Sequence, residues 1–433
     1  MMQDVQPRQP RPKPTPSEPP KASKQPPTEP DKDIAEEPVF KTPEETATEG
    51  EHTTPAIEKL SKTKKKRLRA RWLPHTRKQW IVFSIVAVIV IGGATGTTWA
   101  LTRHKQPTPA PKKQAVIKKV APSVPIYSDL SGLPITDPTL NQKPVTAVMV
   151  ENSLDARPQS GLSQAGVVFE AQAEGGVTRF MALYQDTTPT NVGPIRSARP
   201  YYVQWALGFD AAYAHVGGSP DALTDITSWN VQDMNQFYNG NYYHRITTRE
   251  APHNVYTGID TLNTLEAQKH YTSTFTSFPR DSKATPSAAP TASTINLAVS
   301  GPDYNPKYVY NTASNSYDRS TDGTPDTDAN TGKQISPTVV VAIVVPLSQG
   351  ALDASGAYYS DYNVLGSGQA YVFQNGNVTL GQWHKANNTS QITFTDTSGA
   401  TILLNRGQTW ITAVAAANQV TYTGTPQTQT TTK

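Results

Sequence analysis

The amino-acid sequence predicts an α+β protein, with a mixed α/β first lobe, a small antiparallel β second lobe, and a disordered tail and one transmembrane helix before them. Three observations predict this arrangement. Apolar runs of strand length alternate with helix-start signals between residues 127 and 280, and only strand patterns follow residue 296. An uncharged stretch of 22 residues precedes both lobes.

Residues 1–79 are predicted to be a disordered cytoplasmic tail. They are rich in proline and charge, as in PRQPRPKPTPSEPP, and nearly lack large apolar side chains. Such a segment cannot bury enough apolar surface to offset its conformational entropy. Near its end it contains the basic run KTKKKRLRARW, whose position close to an apolar segment favours a membrane-flanking role over nucleic-acid binding.

The segment from Trp80 to Leu101 is predicted to be a single-pass signal-anchor helix. It is long enough to cross a hydrocarbon core, and Trp80 and Trp99 lie near its ends. Nine Lys/Arg in residues 61–79 oppose six in residues 102–120, which places the N-terminus in the cytoplasm and the C-terminal region outside it. A buried core helix and a cleavable signal peptide are the alternatives. Residues 102–126, which are rich in Lys and Pro, are predicted to form a stalk.

The composition excludes several classes of function. The chain has no cysteine, so disulfides, thiolate nucleophiles and cysteine-based zinc sites are excluded. The overall charge of +4 hides a region, residues 121–433, with 16 Lys/Arg against 23 Asp/Glu. A folded part with this acidic balance lacks the clustered positive charge of a nucleic-acid-binding surface. No cofactor and no metal site are implied.

The first lobe, residues 127–280, begins with the strand PVTAVMV. AGVVFEAQAE and VTRFMALYQ follow as a hairpin whose two-residue turn is Gly175-Gly176. RPYYVQWALGF is predicted to be helical and FDAAYAHV a strand. SPDALTDI starts a helix, with Ser219 as N-cap and Pro220 at the first helical position, and IDTLNTLEAQKH is a later helix.

Residues 281–295 are predicted to be a linker, and residues 296–418 the antiparallel β lobe. TVVVAIVV is a buried strand, QAYVFQNGNVTLGQW a hairpin turning at Asn375-Gly376, ITFTDTSGATILL another hairpin and QTWITAVA a last strand. Residues 419–433 are predicted to be a C-terminal tail.

The first group of candidate site residues lies on the predicted hairpin. With a two-residue turn, Gln172 pairs with Arg179, and Glu170 and Glu174 share their face. The two carboxylates would lie about 13 Å apart along the strand, which is too far for a pair of glycosidase carboxylates. A solvent-exposed hairpin face whose charged residues form ion pairs with one another is a simpler interpretation than a catalytic site.

The second group surrounds two predicted helix starts. Arg196 and Arg199 precede the helix that begins at Pro200, and His215 ends a strand before Gly217, Gly218 and Ser219. Backbone N–H groups at a helix N-terminus suit an anion. Ser219 as a nucleophile with His215 as its base is an alternative to an ordinary N-cap, although the motif is not the G-x-S-x-G elbow. His253 and Asn254, in APHN, are further candidates.

The stretch DTDANTG resembles a calcium loop, but Gly332 comes one position late and Pro337 stands where a loop of this kind needs glutamate. We therefore reject an EF-hand.

Long segments resemble the YerB-like family, which carries the domain of unknown function 3048. They include VTAVMVENSLDARPQSGL, GPIRSARPYYV, AYAHVGGSPDAL, APHNVYTG and GQAYVFQNGNVTLGQWHK, and the resemblance spans residues 131–418. It implies an extracytoplasmic protein in two parts, often a lipoprotein, of unassigned activity. Asp326 stands where the family pattern has a histidine. The resemblance marks these motif residues: Asn152, Arg157, Gln159, Glu170, Glu174, Arg179, Arg196, Arg199, His215, Ser219, His253 and Asn254.

Two functions are consistent with these observations. The favoured one is a membrane-anchored module of the cell envelope that binds an anionic ligand, such as peptidoglycan or a phosphate-bearing polymer, through Arg179, Arg196, Arg199 and the turn at 217–219. The alternative is an envelope hydrolase using Glu170 or Glu174 with His215. The sequence offers no activated nucleophile, so binding is preferred over catalysis.

Overall fold

Residues 125–424, which the computed structural model describes, are built mainly from β-strands. In this range the three α-helices are α1 (Pro200–Leu207), α2 (Pro220–Ser228) and α3 (Ile259–Lys269). The strands are β1 (Ile126–Tyr127), β2 (Pro134–Ile135), β3 (Thr146–Glu151), β4 (Val167–Gln172), β5 (Thr178–Tyr184), β6 (Ala212–His215), β7 (Asp233–Asn235), β8 (His244–Arg245), β9 (Val255–Tyr256), β10 (Thr294–Leu297), β11 (Pro306–Asn311), β12 (Ser316–Thr321), β13 (Thr324–Pro325), β14 (Val339–Val344), β15 (Leu347–Leu352), β16 (Tyr358–Tyr362), β17 (Gly366–Gln374), β18 (Asn377–Lys385), β19 (Thr393–Asp396), β20 (Thr409–Val414) and β21 (Val420–Thr423).

The predicted α+β class is therefore wrong, and the fold is mainly β. The helices inferred in the first lobe exist, but they are short, while several segments without a clear strand pattern pair as strands. The tail (1–79), the membrane segment from Trp80 to Leu101 and most of the stalk lie outside the described residues. Within 125–424, no helix combines the length and apolarity needed to cross a membrane.

A ten-stranded mixed sheet forms the centre of the fold. Its order is β19-β18-β17-β14-β20-β4-β5-β3-β6-β7, so each predicted lobe contributes five strands. The strand β20 pairs in parallel with both β14 and β4, and this pairing joins the two halves. The second lobe is therefore not a separate antiparallel module, because two of its strands extend the first lobe's sheet in parallel.

The second sheet has five antiparallel strands in the order β13-β12-β11-β10-β21. Its edge strand β21 lies in the segment that the sequence predicts as a C-terminal tail, and it pairs with β10 from Thr294↔Thr423 to Leu297↔Val420. Tyr422 packs on Phe373 with ring centroids 5.5 Å apart, which explains why these residues are ordered as a strand.

The large sheet is buried on both faces. Its first face, defined by Met149, Phe169 and Met181, is covered by the aromatic residues of α1 and by α2. Its second face, defined by Val168, Phe180 and Val340, is covered by the five-stranded sheet and by α3. This double coverage explains why TVVVAIVV is continuously apolar and does not alternate.

Local signals predict several elements correctly. Ser219 caps α2, accepting a hydrogen bond from the Ala222 N–H, and Pro220 is at its first position. Asn375 and Gly376 have φ of +57° and +77° in a two-residue turn that pairs Gln374 with Asn377, as a type I′ hairpin requires.

The predicted register of the first hairpin is wrong by one residue. Gln172 pairs with Thr178, and Arg179 faces Ala171. The Ala173 N–H donates to the Val177 carbonyl, so three residues form the loop. Because side chains alternate along a strand, this slip moves Arg179 to the face opposite Glu170.

Candidate functional site

Most of the predicted site residues converge on one edge of the large sheet. The strands β3, β4, β6 and β7 run in the same direction and end there, and the antiparallel β5 begins there. The segment carrying Arg196 and Arg199 runs along this edge, bridging Val150 through Ile195 and Gly218 through Ala198. We call it the carboxyl edge; ligands of open α/β sheets commonly bind at such an edge.

A first cluster at the carboxyl edge joins Glu174, Arg179 and Arg199. Glu174 forms ion pairs with both arginines, and the Arg199 Nε–H donates to its Oε2 at 3.0 Å. The Arg179 Nη1–H donates to the Ser197 carbonyl at 2.9 Å, and the Arg199 guanidinium stacks on the Tyr359 ring at 4.8 Å. Burial would raise the pKa of Glu174, but the two arginines outweigh it and lower that pKa below its ordinary value.

A second cluster joins Glu151, Ser153, Arg196 and His253. The Glu151 Oε1 atom lies 3.0 Å from the His253 Nδ1, and the Ser153 hydroxyl donates to it at 2.8 Å. The Arg196 Nε lies 3.1 Å from the same oxygen, but the angle does not make a hydrogen bond. The Arg196 Nε and the Glu151 Oε2 are therefore buried without hydrogen-bond partners among the described residues, although the Arg196 Nε still contacts the Glu151 Oε1 as an ion pair.

The two clusters act on one another electrostatically. Burial lowers the pKa of Arg196 below its ordinary value, Glu151 opposes this shift, and Arg179 adds to it. Burial also lowers the pKa of Arg199, and Arg179 lowers it further. Three guanidinium groups thus face two carboxylates in a partly desolvated place, which leaves a surplus of positive charge.

His215 and the turn after it are engaged by the protein itself. The His215 side chain is fully buried; its Nδ1 lies 2.7 Å from the Gly217 carbonyl and its Nε2 lies 2.9 Å from the Asp233 Oδ1. Because both nitrogens face oxygens, neither is free to take a proton from Ser219. The Gly217 N–H donates to the Asn235 side chain, and the Ser219 N–H donates to the Ala198 carbonyl. These two N–H groups therefore stabilise the carboxyl edge and are already used by the protein.

Glu170 lies away from these clusters, on the second face. It forms an ion pair with Arg319 at 2.8 Å and accepts a hydrogen bond from the Trp410 Nε1–H at 2.9 Å. The structure therefore separates Glu170 from Glu174 and His215 by the thickness of the sheet.

The remaining motif residues hold the loop after β3. The Asn152 Oδ1 accepts hydrogen bonds from the Arg157 Nε–H and from the Gln159 Nε2–H. Asn254 binds Arg245 and the Arg249 carbonyl, so it orders the loop that presents His253. Asp328 of the DTDANTG stretch is buried and accepts hydrogen bonds from the Gly161 and Ser163 N–H groups, which fits a structural role. No metal-binding group of acidic residues and histidines occurs in 125–424.

Sequence reasoning missed Glu151, Tyr359 and Arg319. Glu151 carried a usable signal, since an acidic residue directly follows the apolar strand of PVTAVMVE. Tyr359 and Arg319 carried none, because they reach the first lobe only through long-range packing.

The comparisons with known proteins decide the family. Residues 130–272 match "Protein of unknown function (DUF3048) N-terminal domain" and residues 295–411 match "Protein of unknown function (DUF3048) C-terminal domain". The chain is 35% identical over 270 residues to "Putative lipoprotein YerB" of Bacillus subtilis (strain 168), covering 60% of this chain and 79% of the relative. The chain belongs to the DUF3048 family.

The fold of this DUF3048 protein also resembles a solved relative. The crystal structure of YerB from Bacillus subtilis superposes with a TM-score of 0.59 at 31% identity, covering 68% of this chain and 99% of the solved one. The family resemblance inferred from the sequence motifs is thereby confirmed.

Proposed function

We propose that this DUF3048 protein is a membrane-attached, extracytoplasmic protein of the cell envelope that binds an anionic group at the carboxyl edge. The observation that carries the proposal is the charge balance there: among the described residues, Arg179, Arg196 and Arg199 form ion pairs with two carboxylates, those of Glu151 and Glu174. A partly buried guanidinium without a matched carboxylate is costly, and an anionic ligand relieves that cost.

Arg196 is the arginine best placed to contact the ligand. Its side chain is 25% exposed and its Nε has no hydrogen-bond acceptor within residues 125–424, whereas the Arg199 side chain is 4% exposed and its guanidinium is bound by Glu174 and the Ala198 carbonyl. His253, which is 21% exposed beside Glu151, adds a second polar group at the same opening. Arg179 and Arg199 then have two roles: they stabilise the carboxyl edge through Glu174, and their buried charges attract the anion without contacting it.

The location supports the class of ligand. The YerB relative bears the name of a lipoprotein, and the uncharged segment from Trp80 to Leu101 has the length and flanking charges of a membrane attachment with the C-terminal region outside. The carboxylates of peptidoglycan and the phosphates of envelope polymers are abundant anions at that surface.

Protease added to intact cells is expected to degrade residues 125–424; protection of this region contradicts the orientation.

The binding proposal is tested by sedimentation of the full chain, in detergent, with purified peptidoglycan and with a phosphate-bearing wall polymer. We expect Arg196→Ala to weaken binding about tenfold, because one charge-assisted contact is lost. Binding should also weaken as salt rises toward the concentration at which the Debye length is about 3 Å.

Two variants serve as controls. Lys307→Ala removes one positive charge from an exposed position on β11 and should leave binding unchanged. Arg199→Ala should chiefly lower stability, by about 3 kcal/mol, because it leaves Glu174 with one partner fewer. Binding that is insensitive both to salt and to Arg196→Ala would exclude the carboxyl edge as an anion site.

A further inference from the structure

A cavity of about 290 Å³ lies between the two family domains, and none of its lining residues belongs to the two clusters of the carboxyl edge. One wall is the loop after β3, with Leu154, Arg157 and Gln159, and the other is the β12–β13 hairpin and the residues after it. Its size is near the lower end of small-molecule sites, and seams between domains are common places for such sites.

Arg157 on the first wall is held rigidly and yet is not charge-paired. Its Nε–H donates to the Asn152 Oδ1 at 3.0 Å, and its Nη2 donates to the Asn152 and Asp303 carbonyls at 3.2 and 2.7 Å. The guanidinium also stacks on the Tyr304 ring at 5.4 Å. All of these acceptors are neutral. Within the described residues no carboxylate lies within 4.0 Å of it, and its Nη1 makes no hydrogen bond.

The opposite wall has a surplus of negative charge. Asp326 forms an ion pair with the buried Arg319, which also pairs with Glu170, so two carboxylates share one guanidinium. The Thr321 hydroxyl donates to the Asp326 Oδ2 at 2.8 Å, and Asp322 lies at the rim of the cavity. The cavity thus has on one wall a positive group that contacts no carboxylate among the described residues, and on the other a net negative cluster whose Asp326 attracts it from across the cavity.

We propose that this cavity binds a small zwitterion of amino-acid size, with the ligand's carboxylate on Arg157 and its ammonium on Asp326. A simple anion would pair with Arg157 but would be repelled by the surplus carboxylate. A simple cation would pair with that carboxylate but would be repelled by Arg157. A zwitterion satisfies both walls at once. The proposal does not depend on the carboxyl-edge function, because Arg157 and Asp326 belong to neither of the two clusters there.

The test compares three ligands by isothermal titration against the full chain in detergent. Alanine, in either enantiomer, carries both charges; propionate lacks the ammonium group and ethylamine lacks the carboxylate. We expect at least one enantiomer of alanine to bind. Both analogues should bind with an affinity at least about tenfold lower than that of alanine. Equal binding of propionate, or no binding of alanine up to about 10 mM, overturns the proposal.

A variant locates the site. Arg157→Gln should weaken alanine binding about tenfold, while Lys307→Gln, at the exposed control position, should not change it. Because Arg157 also orders its loop, thermal melting of each variant is measured in parallel. Should Arg157→Gln fail to fold, the ligand series on the unchanged protein still decides the question. A folded Arg157→Gln that binds alanine normally contradicts this location.

Discussion

Arg196 and Arg199 are three positions apart, yet their surroundings give them different roles. Arg199 enters the first face, where Glu174, the Ala198 carbonyl and the Tyr359 ring use its guanidinium. Arg196 is partly exposed, and in the described part of the chain its Nε has no hydrogen-bond acceptor. The sequence predicts both as ligand contacts, because spacing along the chain cannot show which side chain is covered by β16.

Burial also changes the pKa of Glu266 on α3. The Thr146 hydroxyl donates to its Oε1 at 2.6 Å, while its Oε2 is buried without a hydrogen-bond partner in the described part of the chain. Burial raises the pKa of Glu266 to about 7. Between the unfolded pKa, near 4.3, and about 7, the folded protein therefore holds a proton that the unfolded chain has lost.

We therefore predict that Glu266 makes stability fall as the pH rises through this window. Glu266→Gln keeps the shape but cannot ionise, so it should be more stable than the unchanged protein at pH 8, by up to about 3 kcal/mol. The difference should nearly disappear at pH 4. Urea midpoints of residues 121–433 at both pH values measure it, with the exposed Glu250→Gln as control. An unchanged pH dependence in Glu266→Gln would contradict the assignment.

At the scale of elements, two glycine-containing turns show what the sequence can predict. The Asn375-Gly376 turn has the expected register, because β17 and β18 are long and local pairing decides it. The turn at Gly175-Gly176 also has positive φ at both glycines, yet one residue is added to its loop. The reason is non-local: the Ser360 N–H donates to the Ala173 carbonyl and the Gly175 N–H to the Tyr358 carbonyl.

The glycine of the β17–β18 turn, Gly376, gives a prediction about packing. Gly376 has φ of +77°, and an added Cβ would lie 2.7 Å from the Tyr310 ring and 3.0 Å from Pro290. Gly323 has a similar φ of +72° with open space around it. Gly323→Ala should therefore cost about 1 kcal/mol of backbone strain, and Gly376→Ala clearly more, because the ring must also move. Equal urea midpoints for the two variants would show that the contact with Tyr310 is easily relieved.

The sequence predicts all three helices but fewer than half of the strands, and it does not predict the way they assemble. Strands such as β3, β14 and β20 and all three helices follow from apolar patterns and cap residues. The pairing of β20 with β4 joins residues about 240 positions apart, and no local pattern encodes it. The candidate site shows the same limit: its arginines were found from motifs, whereas Tyr359 and Arg319 were found only in the structure.

At the scale of the whole molecule, the two family domains are interlocked. The strand β20 completes the sheet beside β4, and the Gln408 Nε2–H donates to the Leu162 and Ala165 carbonyls. Asp328 accepts hydrogen bonds from the Gly161 and Ser163 N–H groups, and Arg319 neutralises the buried Glu170. A boundary that divides the family domains in sequence, between residues 272 and 295, therefore does not divide the core.

We predict that residues 125–293 do not fold alone. Without β20 the edge of β4 is unpaired, the face carrying Val168 and Phe180 is exposed, and Glu170 loses both Arg319 and Trp410. An uncompensated buried carboxylate alone costs several kcal/mol, comparable to much of a domain's stability.

Co-expression with residues 294–424 should restore a soluble, co-purifying complex, because this second piece supplies β20 to pair with β4 and Arg319 to pair with Glu170. As a control, residues 121–433 in one chain should be soluble and unfold cooperatively. Circular dichroism during urea denaturation measures all three, and a cooperative transition of residues 125–293 alone would show that the first domain carries its own core.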